Sequence, residues 1–214
     1  ASLRIYRGLK NGDEFDAQRW SLAARCFCAS ARTTGYNAMC KFSRTWAMPN
    51  ANTFSVKPIG ELVARYLHGV SVDPFARNSG LATYTNDLNP ETTAQYHMDA
   101  VEFLEKLESE GVKADVVIFD PPYSPRQISE CYAAAGKKAG MVDTQNAALY
   151  AKCRAAIRKI CGQGSLVLSF GWNSCGMGPG WETKEIMLVA HGGAHNDTIC
   201  MVERLQVVQE SLAL

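Results

Sequence analysis

Ala114-Asp115-Val116-Val117-Ile118-Phe119-Asp120-Pro121-Pro122-Tyr123 decides how the rest of the chain is read. The apolar run from Ala114 to Phe119 has the character of a buried parallel strand. Asp120 and two prolines end it: neither proline donates to a sheet ladder, and each fixes its own φ. A carboxylate, the Pro121 carbonyl and the Tyr123 ring are thereby held at the C-terminal edge of a strand, where open α/β sheets bind ligands. Two acceptors and a ring face suit a planar amine. Taken alone, the tetrapeptide also reads as a strand-ending turn.

Outward from this strand the elements alternate. Towards the N-terminus, helices are expected at 57–67, with Pro58 at the start, and at 100–107, with Asp99 as N-cap. Strands are expected at 70–72 and 82–86. Towards the C-terminus, helices are expected at 127–135 and 144–161, with Gly162 as the stop. A strand at 165–170 follows, then a hairpin of 184–190 and 198–205. This predicts an α/β protein: a mostly parallel sheet, helices on both faces and a C-terminal antiparallel hairpin. A short helix around Trp20–Phe27 is the one element expected before residue 32, and 32–52 is rich in turn formers.

The 214 residues suffice for one α/β domain with a full core. No stretch has the length of a membrane span and no signal peptide opens the sequence, so a cytoplasmic protein with no membrane association is expected. The eight cysteines include no C-x-x-C pair. Cys26, Cys28 and Cys40 have no histidine nearby in sequence, so no metal site is assigned, and free cysteines imply a reducing compartment. Charge is uneven. Residues 1–60 carry nine Lys/Arg against three acids, and the remainder carries thirteen against eighteen. Residues 1–50 therefore read as a basic arm packed on a catalytic domain, 51–214. Such an arm is a polyanion-binding surface or a solvated face.

Four acids follow the inferred strands in series. Asp73 opens the turn Asp73-Pro74-Phe75-Ala76-Arg77-Asn78-Ser79-Gly80, Asp87 ends the second strand, Asp99 precedes a helix, and Asp120 begins D-P-P-Y. An acid in Asp87's position can accept two ribose hydroxyls. Asp99 can accept from an adenine amine or cap its helix. His191 and His195 bracket a turn rather than a helix face, which favours a turn role over a metal.

The order Phe54-Ser55-Val56-Lys57-Pro58-Ile59, Asp73-Pro74-Phe75, Asp87, Asp99, Asp120-Pro121-Pro122-Tyr123 resembles the S-adenosylmethionine-dependent amino-methyltransferases of DNA. It looks most like the adenine-N6 enzymes of bacteriophages, which act in the bacterial host's cytoplasm. The resemblance covers roughly residues 45–206 and implies a class I methyltransferase (Rossmann-like) fold. It further implies that Phe54, Lys57, Pro58, Asp73, Pro74 and Phe75 hold the methionine part of S-adenosylmethionine, with Asn78 also at the cofactor. Asp87 would take the ribose, Asp99 the adenine amine, and Asp120, Pro121, Pro122 and Tyr123 the target base. DNA is the implied partner, with N4 of cytosine or an RNA base as the alternative, and a fold-retaining nucleic-acid binder as a non-catalytic one. Methylation of a protein amide is disfavoured, because related enzymes carry Asn where Asp120 stands.

The sequence departs from the family in two respects. Arg77, Asn78 and Ser79 replace a glycine-rich turn, and Asn78 is the residue expected to tolerate a left-handed conformation. There is also no insertion to house a target-recognition domain. Recognition then falls to the arm, to the loop Ser124–Asp143 with Arg126, or to the loop Gly171–Trp181, whose Trp172 and Trp181 can stack on bases. In that last loop, Gly176-x-Gly178-x-Gly180 does not link a strand to a helix, which excludes a phosphate loop.

Overall fold

The computed structural model describes residues 40–136, 146–172 and 176–206. The chain divides into two units, Ala1–Ala38 and Met39–Leu214. The expected Trp20–Phe27 helix and most of the basic arm lie outside the described residues. In chain order the second unit contains β1 (Lys41–Trp46), a 3-10 turn (Thr53–Ser55), α1 (Lys57–Tyr66), β2 (Ser71–Asp73), β3 (Tyr84–Thr85) and α2 (Ala100–Ser109). There follow β4 (Ala114–Phe119), α3 (Pro125–Ala134), α4 (Asn146–Ile160), β5 (Cys161–Gly171), β6 (Trp181–Ala190) and β7 (Thr198–Leu205).

The seven strands form one sheet in the order β1-β6-β7-β5-β4-β2-β3. Only β7 runs against its neighbours, and every other pairing is parallel. This is the expected Rossmann-like architecture, a mostly parallel sheet closed by an antiparallel pair. Helix α1 buries Ile59, Leu62 and Val63 on one face, against Val116, Ile118, Leu168 and Val202. Helices α2 and α4 bury Phe103, Leu104, Leu107 and Ile157 on the other, against Val117, Phe119 and Val167. Because β4 is covered on both faces, its apolar residues run without alternation.

Three differences from expectation bear on the sheet. Residues 41–46, read as part of the arm and of a turn-rich stretch, form the edge strand β1 beside β6. Its alternation is half polar, and the surrounding Asn, Thr and Pro residues mask it. Strand β3 is two residues long rather than five. Cys161, expected in a helix, opens β5, so α4 passes into a strand without a loop. The Gly162 N–H donates to Ser165 Oγ (2.9 Å), which donates to Ala114 O (2.7 Å) across a register shift between β4 and β5.

One buried charge fastens the edge strand. Glu185 of β6 accepts from Lys41 (3.1 Å), Arg65 (3.0 Å) and the Tyr66 hydroxyl (2.7 Å). Burial pushes its carboxyl up, but these partners outweigh burial and hold it below the usual range.

Gly60 marks a close approach that the site depends on. A Cβ there would lie 2.6 Å from the Phe54 carbonyl oxygen, so a side chain would push α1 off the 3-10 turn. Gly60→Ala should therefore destabilise the protein by about 1–3 kcal/mol. Gly162→Ala, with open space around its Cβ, should change stability by less than about 0.5 kcal/mol. Urea unfolding of both variants checks the contrast.

Candidate active site

The site is assembled at the C-terminal edge of β2, β3 and β4. Parallel pairing of β2 with both neighbours brings Asp73, Asp87 and Asp120 to one edge. The fixed point among them is Asn86, a fully buried amide that sequence reading passed over. Its Nδ2 donates to Pro74 O (3.1 Å) and Met98 O (3.0 Å), and its Oδ1 accepts from Met98 N (3.1 Å). Its backbone N–H donates to Asp73 O (2.9 Å), and its carbonyl accepts from Ala76 N (2.8 Å). One residue thus ties the segments carrying Asp73, Asp87 and Asp99. The signal was present in Thr85-Asn86-Asp87, a polar residue at the end of a buried strand.

Asp73 is fully buried. Its Oδ1 accepts from Phe75 N (3.0 Å), while Oδ2 has no partner. Burial pushes the carboxyl up to about 8. The Phe75 N–H opposes this, and the charges of Asp120 and Asp87 add to it. Ser79 Oγ, in the same turn, is also buried without a partner. Two orphaned oxygens in one turn fit a ligand with polar hydrogens, and surplus negative charge fits a cationic one.

The turn itself is held by an unexpected residue. Arg77, not Asn78, adopts the left-handed conformation, with φ at +50°. Its N–H donates to Asp87 Oδ2 (3.1 Å) and its guanidinium to Ala51 O (2.8 Å). Both bonds compensate the steric cost of a non-glycine there. Asn78 is exposed and its Oδ1 accepts from Thr93 N (3.0 Å). Asp87 Oδ1 accepts from Asn89 N (2.9 Å), so Asp87 links the first turn to the end of β3. Asp99 caps α2 through Val101 N (2.8 Å) and accepts from the Tyr132 hydroxyl (3.2 Å).

At the tetrapeptide, the Tyr123 hydroxyl donates to Asp120 Oδ1. The Thr53 side chain stands close to both, a proximity with no sequence signal. Burial pushes the Asp120 carboxyl up, while Tyr123, Thr53 and the Arg77 charge oppose the shift. Burial and the Asp120 charge push the Tyr123 hydroxyl up as well. The Tyr123 ring lies 5.4 Å from Trp172 at 53°, and its N–H donates to Gln127 Oε1 (2.7 Å). The Tyr150 hydroxyl donates to Pro122 O (3.3 Å), and Pro121 is buried.

The other residues named from sequence are dispersed. Phe54 packs edge-on against Phe170 (5.4 Å) and Phe75 against Phe119 (6.0 Å). Lys57 is exposed and reaches Glu61 (4.0 Å), and Pro58 lines a groove between α1 and β1 with Lys41 and Thr45. Trp181 starts β6 and packs on the core, which leaves Trp172 as the loop tryptophan beside Tyr123. Arg126 pairs with Glu130 (2.7 Å). Buried His191 bonds Ala47 O (2.8 Å) and Thr198 Oγ1 (2.9 Å), so it acts as a staple in the turn.

No protein-family model matches the chain, and no curated protein matches it. Among solved structures, it is similar to a hypothetical protein of Thermus thermophilus. Identity is 14%, covering 76% of this chain and 93% of that one, with a TM-score of 0.41. It is also similar to TrmN from Thermus thermophilus (14% identity, 70% of this chain, 49% of that chain, TM-score 0.42). A SAM-dependent methyltransferase from Agrobacterium tumefaciens is a third (11%, 70%, 60%, TM-score 0.39). The chain spans about half the length of TrmN. Likenesses this distant bear on no residue's role.

Asp73 makes stability depend on pH. Its folded pKa lies above the unfolded value, so between about pH 4 and pH 8 the native state holds the extra proton. Its contribution to stability then falls as pH rises through that window. Asp73→Asn should flatten the fall and melt above wild type near the upper end. Thermal melts across the window check the sign, and a steeper fall in the variant would contradict it.

Proposed function

We propose that this chain transfers a methyl group from S-adenosylmethionine to the exocyclic N6 of adenine in DNA. The observation that supports this most is a juxtaposition. A buried, unpartnered Asp73 oxygen stands near Asp120, whose present partner is Tyr123, with Thr53 close by.

The first turn is the cofactor side. Asp73 Oδ2 would accept from an ammonium group, and a cation there favours the ionised carboxylate that burial otherwise opposes. Asp87 has one hydrogen bond on each oxygen, which leaves lone pairs for ribose hydroxyls. Asp99 is already engaged on both oxygens, so a contact with the adenine amine would be a third. Phe54 and Phe75 support the turn from behind through their ring contacts. When bound, the cofactor supplies a methyl group on a sulfonium, an electrophile that needs no further activation.

The tetrapeptide is the acceptor side. Asp120 and the Pro121 carbonyl would take the two hydrogens of the amine and direct the nitrogen lone pair at the methyl group. The bond formed is N–C, the bond broken is S–C, and the electron pair leaves on sulfur. Asp120 then accepts the proton from the alkylated nitrogen, a role its raised pKa suits. Tyr123 would exchange its bond to Asp120 for stacking on the base. In a duplex, the base must first leave the stack at a cost of a few kcal/mol.

Asp120→Ala should abolish transfer with cofactor affinity nearly intact, because its acceptor is needed most as the nitrogen becomes positive. Tyr123→Ala should lose about 1–3 kcal/mol of base stacking, and Tyr123→Phe should retain it. Labelled S-adenosylmethionine incubated with separate DNA, RNA and protein pools, followed by hydrolysis, reads both variants and the product. N4-methylcytosine, or label in RNA alone, would move the acceptor. Near wild-type transfer by Asp120→Ala would reduce the tetrapeptide to a strand-ending turn.

A further inference from the structure

Edge strand β1 has two unlike faces. Lys41, Ser43 and Thr45 line the groove against α1, and Lys41 meets Glu185 directly across the register. The alternate residues turn the other way. Phe42 is 66% exposed, Trp46 61% and Met48, just past the strand, 67%. Arg44 stands exposed between the two aromatics, with no ion pair or hydrogen bond among the described residues. Half-buried Ile186 and Leu188 of β6 lie across from Phe42 and Arg44. Two large rings in water with an uncompensated cation midway are costly to display on a sheet edge, which ordinarily carries charge alone.

The end of this strand is held firmly. Ala47 N donates to Ala190 O (3.1 Å), and His191 clasps the Ala47 carbonyl from the hairpin. The Trp46 Nε1 lies beside Gly192, 3.4 Å from where a Cβ would sit. Since β1 runs parallel to β6, β5 and β4, Trp46 ends at the same sheet edge as Trp172 and Asp120. Four strand spacings separate β1 from β4, about 19 Å, or the rise of five to six stacked nucleotides.

We propose that Phe42, Arg44 and Trp46 form a stacking platform for single-stranded nucleic acid flanking the target base. The rings, about 13 Å apart at four residues of strand rise, would each take a base face, and Arg44 a phosphate between them. A chain with π faces and regular negative charge is what this stripe complements, and the shared edge leads it to Asp120. The inference rests on reading Asp120 as a base-amine site. It places recognition on the sheet itself.

The test is fluorescence anisotropy of the full chain with labelled single-stranded DNA, single-stranded RNA and duplex DNA. Phe42→Ala and Trp46→Ala should each weaken single-strand binding by about 5- to 150-fold, with Trp46→Phe retaining most of it. Arg44→Gln should lower the slope of log affinity against log salt by about 0.7. The DNA and RNA arms identify which strand is held. Wild-type affinity in both alanine variants, with native circular dichroism, would overturn the platform. So would binding of duplex but not single strands, or variants that alter only self-association in sedimentation, since a second copy would then be the occupant. Calorimetry with S-adenosylmethionine, run separately on the wild type, keeps the two readings apart. Absent cofactor binding with aromatic-dependent oligonucleotide binding leaves the platform standing and removes the enzyme.

Discussion

A buried amide governs this sheet edge. Asn86 satisfies its whole side chain on the Asp73–Pro74 turn and on Met98, and its backbone on Asp73 and Ala76. Each bond alone is worth about 1 kcal/mol, but they converge on three chain segments. The consequence is electrostatic. Acids separated widely in sequence are held near enough for their charges to act on one another, an arrangement that a flexible loop would relax by moving apart. A buried acid with one open oxygen is costly to maintain. The clamp makes that cost bearable by preventing relaxation.

The same logic explains the turn at Arg77. A glycine would take the left-handed conformation without strain. Here the backbone of Arg77 is tied to Asp87 and its side chain to Ala51, so the conformation is imposed by its surroundings. The guanidinium also stands where its charge acts on Asp120, a contribution no glycine makes. The departure from a glycine-rich pattern thus couples the Asp73–Asp87 turn to the Asp120 tetrapeptide.

What was legible in the sequence divides along physical lines. Strand β4 and helices α1 and α2 were readable because burial writes a pattern into them: an unbroken apolar run from Val116 to Phe119 in β4, and Ile59, Leu62 and Val63 on one side of α1. The cap at Asp99 was readable because an N-cap is a local bond. Strand β1 was not, since an edge strand with one face in water mixes Phe42 and Trp46 with Lys41, Ser43 and Arg44. Nor was the short β3, whose two residues leave no period to detect. Of the site, the four acids were visible as types after strands. Of Asn86 only a polar residue at the end of a strand was visible, and Thr53 and Arg77 gave no signal, because their roles arise from contacts with distant segments of chain. Lys57 and Pro58 sit beside the right segment in sequence, yet Pro58 lines a different groove and Lys57 reaches Glu61 at the surface.

The position of β7 has a consequence for how the molecule is made. It lies between β5 and β6, so the two strands that precede it in sequence never touch, and β1 attaches only to β6. Synthesis therefore delivers β1 first and its place in the sheet last. Until residues 198–205 emerge and insert, β1 and β6 have no route onto β5, and their apolar faces stay open to water. Such long-range closure slows folding and exposes edges during it. A ribosome-bound chain stopped before Thr198 would present a four-stranded β3-β2-β4-β5 nucleus with its amide clamp in place and half of its edge missing.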